Sequence, residues 1–161
     1  MNRIAAVFAI GLLVAAASAY DIDDFGFAWN GYGTGTLYSP DGLHIDGPGG
    51  PAFSYSEGYF SGISPATGTL SLDYDYYSDD NFDGAFYRIN GVKTDFATGY
   101  NHTLGSLSLN LALGDTFDFG IYSGDSLADA GHIDVTNFHQ TPEPTTLALL
   151  ALGGLALWRR R

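Results

Sequence analysis

Apolar and polar side chains alternate along most of the middle of the chain. Phe25, Phe27 and Trp29 are spaced by two, as are Leu70, Leu72, Tyr74 and Tyr76, with Ser71, Asp73 and Asp75 between them. Leu107, Leu109, Leu111 and Leu113 repeat the pattern, followed by Phe117, Phe119 and Ile121, and then by Ile133 and Val135. A period of two is what a strand with one buried face produces, because successive side chains leave opposite faces. Asn90-Gly91 lies between Ala85–Ile89 and Val92–Phe96 and predicts a two-residue turn with positive φ at both central positions. That turn sets Ile89 against Val92, Tyr87 against Thr94 and Ala85 against Phe96. Leu113-Gly114-Asp115-Thr116 predicts the link from the leucine strand to the phenylalanine strand. About eight to ten short strands follow, which is an all-β architecture, an antiparallel β-sandwich of jelly-roll type. A closed up-and-down barrel has the same pattern and stays open as the alternative.

Both ends depart from this pattern. Arg3 precedes the apolar stretch Ile4 to Val14, and small residues close it as Ala17-Ser18-Ala19. A basic start, an apolar run of that length and an A-x-A ending predict a secretory signal peptide over 1–19, read by signal peptidase at Ala17 and Ala19 with Tyr20 first in the product. At the other end, Pro142-Glu143-Pro144 leads into Thr145 to Trp158, apolar apart from its threonines, and then Arg159-Arg160-Arg161. Proline biases the residue before it towards extended geometry and is tolerated at the first position of a helix. The predicted result is an extended segment followed by a hydrophobic helix. That helix would anchor transiently in the inner membrane, with the arginines on the cytoplasmic side. A helix of this length rises roughly 21 Å, short of the ~30 Å hydrocarbon core, and local thinning with snorkelling arginines closes much of the gap.

This tail resembles the PEP-CTERM sorting signal: Pro-Glu-Pro, a leucine- and alanine-rich segment containing Gly153-Gly154, and a terminal arginine cluster, in that order. The resemblance implies recognition by an exosortase, a multi-pass membrane protease-transpeptidase. Pro142, Glu143, Pro144, Arg159, Arg160 and Arg161 would be read by that enzyme, and the helix and arginines would be removed. It also implies an association with exopolysaccharide and biofilm matrix. The stretches 68–91 and 105–138 look like the β-sandwich domain common among such substrates. The division that follows is a signal peptide over 1–19, a β-sandwich over 20–140 and the sorting signal over 141–161.

Charge sharpens the picture. The whole chain has 18 acids against 6 Lys and Arg, a formal −12. Residues 20–141 keep 17 of those acids (all but Glu143) and only Arg88 and Lys93, about −15. Nucleic acid is excluded as a partner, since its phosphates demand the opposite sign. The absence of cysteine excludes a disulfide scaffold and a thiol nucleophile.

The candidate chemistry is sparse. Asp79-x-Asn81-x-Asp83-Gly84 forms the first half of a calcium loop, with three oxygen donors at alternate positions. Its twelfth position is Asn90 instead of a bidentate Glu, so calcium there needs further ligands from Asp73 or Asp75; the competing reading is a solvated acidic loop. Asp73 and Asp75 share a strand face about 7 Å apart. A glycosidase pair is set aside, because nothing visible splits their pKa values. The histidines His44, His102, His132 and His139 show no ligand spacing and read as ordinary surface or turn residues. Tyrosine number offers a binding function: Tyr77, Tyr87 and Tyr122 are candidates to face solvent and stack on sugar rings, with several packing across strands as the alternative. The expectation is an exported, exosortase-processed surface or matrix protein, structural or adhesive and not an enzyme. The alternative is a carbohydrate-binding module for exopolysaccharide, with calcium as its only cofactor candidate.

Overall fold

In the computed structural model, residues 19–48, 54–125 and 131–143 are described. These residues form ten antiparallel strands. They are β1 Ala28–Gly31, β2 Thr34–Tyr38, β3 Gly42–Asp46, β4 Ser56–Ile63, β5 Gly68–Ser78, β6 Asp83–Ile89, β7 Val92–Thr98, β8 Asn101–Leu111, β9 Thr116–Ser123 and β10 His132–Pro142. One sheet has the order β1-β4-β9-β6-β7 and the other β2-β3-β10-β5-β8. Two open sheets packed face to face make a β-sandwich, so the barrel alternative falls away.

The buried period-two residues meet between the sheets. Leu43, Ile45, Leu70, Leu72, Ile133 and Val135 of one sheet pack on Phe60, Phe117, Phe119 and Ile121 of the other. Each fully buried large side chain contributes about 1.5–3 kcal/mol. Phe25 belongs to a 3-10 turn, Ile22–Phe25, and not to a strand as its spacing suggested. Asp21 caps that turn by accepting from the Asp23 N–H at 3.0 Å, and Gly26 ends it at φ 60°. Phe25 is thereby delivered into the core edge-on to Phe138, with ring centroids 5.1 Å apart.

The Asn90-Gly91 hairpin forms as expected, with φ 51° and 80°. Ile89 faces Val92 and Tyr87 faces Thr94, but Ala85 pairs with Ala97. A bulge beside Phe86 gives β7 one extra residue, Phe96, and shifts the register there. The Gly114 turn joins strands of different sheets, so it is a crossover and not a hairpin.

The ends of the sandwich meet. Tyr20 N donates to Gln140 O at 2.9 Å and Gln140 N to Tyr20 O at 2.8 Å. Gln140 is fully buried, and its amide donates to Ser64 Oγ at 2.9 Å and to Ala66 O at 2.7 Å. β10 continues past Gln140: Thr141 pairs with Thr69 and Pro142 with Gly68, and Glu143 N donates to Thr67 O at 3.0 Å. Both sheets and their core therefore close within residues 19–143.

Candidate functional site

The two outer faces of the sandwich differ in chemistry. On the first sheet, Tyr55 precedes β4, and Glu57 and Tyr59 follow on the same side of that strand. Registry brings Tyr59 opposite Gly120, Gly120 opposite Phe86, and Phe86 opposite Asp95. The next row sets Asp118 against Arg88 and Arg88 against Lys93. Two glycines shape the surface. A Cβ on Gly84 would fall 2.6 Å from Tyr122 Cζ, and one on Gly120 would fall 2.4 Å from Tyr59 Cβ. The Tyr122 ring therefore lies across the sheet over Gly84, where a side chain is missing, a cross-strand pairing of aromatic and glycine, while Gly120 leaves room for the close approach of β4 at Tyr59.

Arg88 and Lys93 lock this surface. Arg88 pairs with Glu57 and approaches Asp118 at 3.6 Å, while its guanidinium lies 4.4 Å from the Phe86 centroid and 5.1 Å from that of Tyr59. Lys93 Nζ lies 3.2 Å from Glu57 Oε1, donates to the Tyr55 hydroxyl at 2.6 Å, and sits 4.0 Å from the Tyr122 centroid. Tyr55 also donates to Glu57, and its ring stacks on Tyr122 at 5.7 Å. Covered by these groups, Phe86 is fully buried although it points away from the core. Burial pushes the Glu57 carboxyl up, but hydrogen bonds from Tyr55, Arg88 and Lys93 outweigh it and hold the group below its ordinary range. Burial first, and then the Glu57 hydrogen bond and charge, push the Tyr55 phenol up. The result is a cluster of rings capped by two cations and fixed by carboxylates, with the Tyr55 ring 56% exposed at its margin. Fixed polar groups around apolar rings are what an uncharged, hydroxyl-rich ligand requires.

The other sheet's outer face is acidic. Across β3, β10, β5 and β8 it places His44, Asp134, Asp75 and Leu104 in one row. The adjacent row is Asp46, His132, Tyr77 and His102. His44 is held by Asp134 at 2.7 Å and Asp46 at 3.0 Å; His102 meets Asp75 at 2.7 Å. Asp73 accepts from Ser106 at 2.5 Å and Asn137 at 2.7 Å, which holds its carboxyl below the ordinary range. Asp73, Asp75, Asp134, Leu104, Ser106 and Thr136 line a shallow depression of about 550 Å³ there. His139 points to the same side, so all four histidines share this face. Single-sequence spacing missed this grouping because it depends on strand order.

The sequence-predicted tyrosines are separated by the fold. Tyr122 belongs to the aromatic face, Tyr77 to the acidic one, and Tyr87 turns inward to pack against the core beside Phe96. They do not form one platform, because Tyr87 and Tyr122 fall on opposite sides of the same sheet. The calcium-loop residues also diverge. Asp83 is 2% exposed and accepts from Ser78 Oγ at 2.8 Å and the Gly131 N–H at 3.0 Å, with Oδ1 unpartnered. Asp79 accepts from the Tyr77 hydroxyl at 2.5 Å on the outside, and Asn81 accepts from Tyr100 N at 3.4 Å. Among the described residues, no group of three or more His, Asp or Glu is placed to hold a metal ion.

The end signals fall mostly outside the described residues: Ala17, Pro144, Arg159, Arg160 and Arg161 lie there. Ala19 is exposed, Tyr20 opens the fold, Pro142 closes β10 and Glu143 is exposed beyond it. Residues 140–161 match the PEP-CTERM protein-sorting motif. The chain carries that sorting signal. The motif marks an exported protein with a C-terminal anchoring signal that an exosortase processes. In this PEP-CTERM chain the signal begins inside the sheet, on the last residues of β10.

No curated protein matches the chain. Among solved structures, the secreted serine protease VesC from Vibrio cholerae aligns at 17% identity and a TM-score of 0.48, over 66% of this chain. The chain spans only 22% of that protease. CBM29-2, a family 29 carbohydrate-binding module solved with cellulohexaose, aligns at 17% identity and a TM-score of 0.41, over 72% of this chain and 80% of that one. TmCBM61, solved with β-1,4-galactotriose, aligns at 8% identity and a TM-score of 0.44, over 78% of this chain and 99% of that one. These are likenesses of fold alone, and neither activity nor ligand passes from them to this chain.

Proposed function

We propose that this is a non-enzymatic surface or matrix protein. Signal peptidase removes residues 1–19 at the inner membrane, an exosortase processes the tail, and the sandwich engages neutral extracellular polysaccharide through the outer face of β4, β9, β6 and β7. The observation that carries this reading is the exposed Tyr55 ring, stacked on Tyr122 above Gly84 and set among Glu57, Arg88, Lys93 and Asp118. A pyranose ring presents a face of C–H groups that stacks on such rings, and its hydroxyls suit the polar border. The cations are already neutralised by carboxylates, so the surface favours uncharged sugar over a polyanion. A non-enzymatic role agrees with Asp73, whose carboxyl is held below its ordinary range and so is unsuited to act as a general acid near neutrality.

The test is affinity electrophoresis of residues 19–143 in gels containing neutral glucans, mannans, galactans or the host's own matrix polysaccharide. Retardation by at least one is expected, with a loss of about tenfold or more in affinity for Tyr55→Ala and Tyr122→Ala. Tyr77→Ala, on the other face, should leave binding unchanged, and so should chelator, because Asp79, Asn81 and Asp83 do not converge. No retardation, or equal loss with Tyr77→Ala, would overturn the assignment.

A further inference from the structure

The described sandwich has four sheet edges, and three carry recognisable guards against pairing with another strand. β1 has four residues and β2 five, too short to template a partner. β7 carries Lys93 and Asp95 and a bulge. β8 has none of these. It pairs with β5 over eleven consecutive residues without a register shift. From Asn101 to Leu111 it contains no Lys, Arg, Asp, Glu or Pro. No described residue pairs with its outer side. A long, regular, uncharged edge is a template for strand addition, and folded proteins ordinarily blunt such edges.

We propose that β8 is a self-assembly edge, which joins two copies of this chain by antiparallel β8–β8 pairing into a continuous ten-stranded sheet. The strand suits its own copy. Its outward residues are His102, Leu104, Ser106, Ser108 and Asn110, and a two-fold axis through Ser106 sets Leu104 against the partner copy's Ser108 and His102 against its Asn110. Every register with an even residue sum keeps outward side chains opposite outward ones and the core-side Leu107 and Leu109 on the core side. Those two leucines pack only partly buried against the core, and Leu104 is 71% exposed, so pairing extends apolar cover on both faces. Charge favours this edge over the others. In a domain of about −15, two copies meet here without apposed carboxylates. The nearest acids, Asp73 and Asp75 on β5, would face their counterparts three strand spacings away, about 14 Å, beyond the ~8 Å Debye length at physiological salt. This inference does not depend on the glycan reading, since it uses neither outer face as a ligand site.

Sedimentation velocity of residues 19–143 across a concentration series, at low and at 0.5 M salt, tests it. Reversible dimerisation is expected, strengthened on the order of tenfold by salt as the net repulsion is screened. Ser106→Lys combined with Ser108→Lys should leave the protein monomeric with its melting temperature retained, because both side chains are exposed. Ser106→Thr with Ser108→Thr should still dimerise, and Leu104→Lys alone should weaken the dimer. In the wild-type dimer, β8 amides directed away from β5 should exchange more slowly at high concentration. A monomer at every concentration and salt, or association that the lysine pair leaves unchanged, would overturn the proposal.

Discussion

Replacing Arg88 with methionine tests whether the aromatic face is held by charge or only by packing. Methionine keeps an unbranched side chain over Phe86 and removes the guanidinium. Arg88, Glu57 and Asp118 are each 17% exposed at their side chains. Breaking a fully buried pair costs about 3–5 kcal/mol, whereas an exposed pair is worth about 0–1 kcal/mol. Exposure of this degree places the loss between them, about 2–3 kcal/mol. Asp118 would then keep no described cation, and Glu57 would keep Lys93 at 3.2 Å. For a domain of this size that corresponds to a fall of roughly 8–12 °C in melting temperature. The loss carries a pH signature. The folded Glu57 carboxyl lies below its ordinary value, so its stabilisation is present above about pH 4.5 and disappears as pH falls through the folded value. The gap between wild type and Arg88→Met should therefore be widest near pH 7 and narrow sharply at pH 3. Arg88→Lys should fall between them at neutral pH, since one ammonium cannot span both carboxylates as a planar fork does. Calorimetry of the three proteins at the two pH values decides the matter. A gap under about 2 °C at pH 7, or one that does not change with pH, would refute the electrostatic account.

Other consequences can be read at single residues. Both ring nitrogens of His44 face carboxylates, Asp134 and Asp46, with His132 6.1 Å away, an arrangement that favours the imidazolium because only that form donates from both nitrogens. Burial lowers its pKa, but those two acids outweigh burial and raise it above 6.5. Its stabilisation is therefore complete below pH 6.5 and lost as pH rises through the folded value; unfolding of His44→Gln against wild type should differ by about 1 kcal/mol at pH 6 and converge in alkali. Asp83→Ala strands the buried Gly131 N–H and leaves the Ser78 hydroxyl only Asp80 O at 3.2 Å, and should cost about 1–3 kcal/mol in urea unfolding. Asp83→Asn keeps an oxygen for both donors and replaces the unpartnered Oδ1, so it should stay within about 1 kcal/mol of wild type. An Asn variant as unstable as the Ala variant would show that the unpartnered position does not accept a neutral amide.

The strands were legible where the buried face is written in large apolar residues, as in β5, β8 and β9, and at the Asn90-Gly91 turn. β4 escaped because its inward positions are Ser56, Gly58, Phe60 and Gly62, which leave one apolar residue to show the period. The glycines are there for space: a Cβ on Gly58 would meet the Trp29 ring at 2.9 Å. Ala85 pairs with Ala97 and not with Phe96 because a bulge adds a residue with no compositional mark of its own. The aromatic face was illegible for a different reason. Its residues come from four strands, and register, not sequence distance, brings Glu57 to Arg88. Two signs were nevertheless present: Tyr55, Glu57 and Tyr59 at i, i+2 and i+4, and Arg88 and Lys93 as the sole Arg and Lys between 20 and 141.

Those two cations connect charge to function. In a domain of about −15, a surface near neutrality has to concentrate the positive charge, and a hairpin is an economical way to do so. Asn90-Gly91 sets Arg88 directly opposite Lys93, a pairing that would repel unless carboxylates surrounded it. Glu57, Asp95 and Asp118 supply that surround, which leaves the aromatic face near neutrality, while Asp73, Asp75 and Asp134, with no Lys or Arg beside them, gather on the opposite face with the four histidines. The neutral β8 borders the acidic sheet and offers a route by which copies associate without confronting those acids. Sorting then completes the logic: the PEP-CTERM signal departs from the end of β10, a central strand, so processing beyond Glu143 leaves both faces and the β8 edge intact.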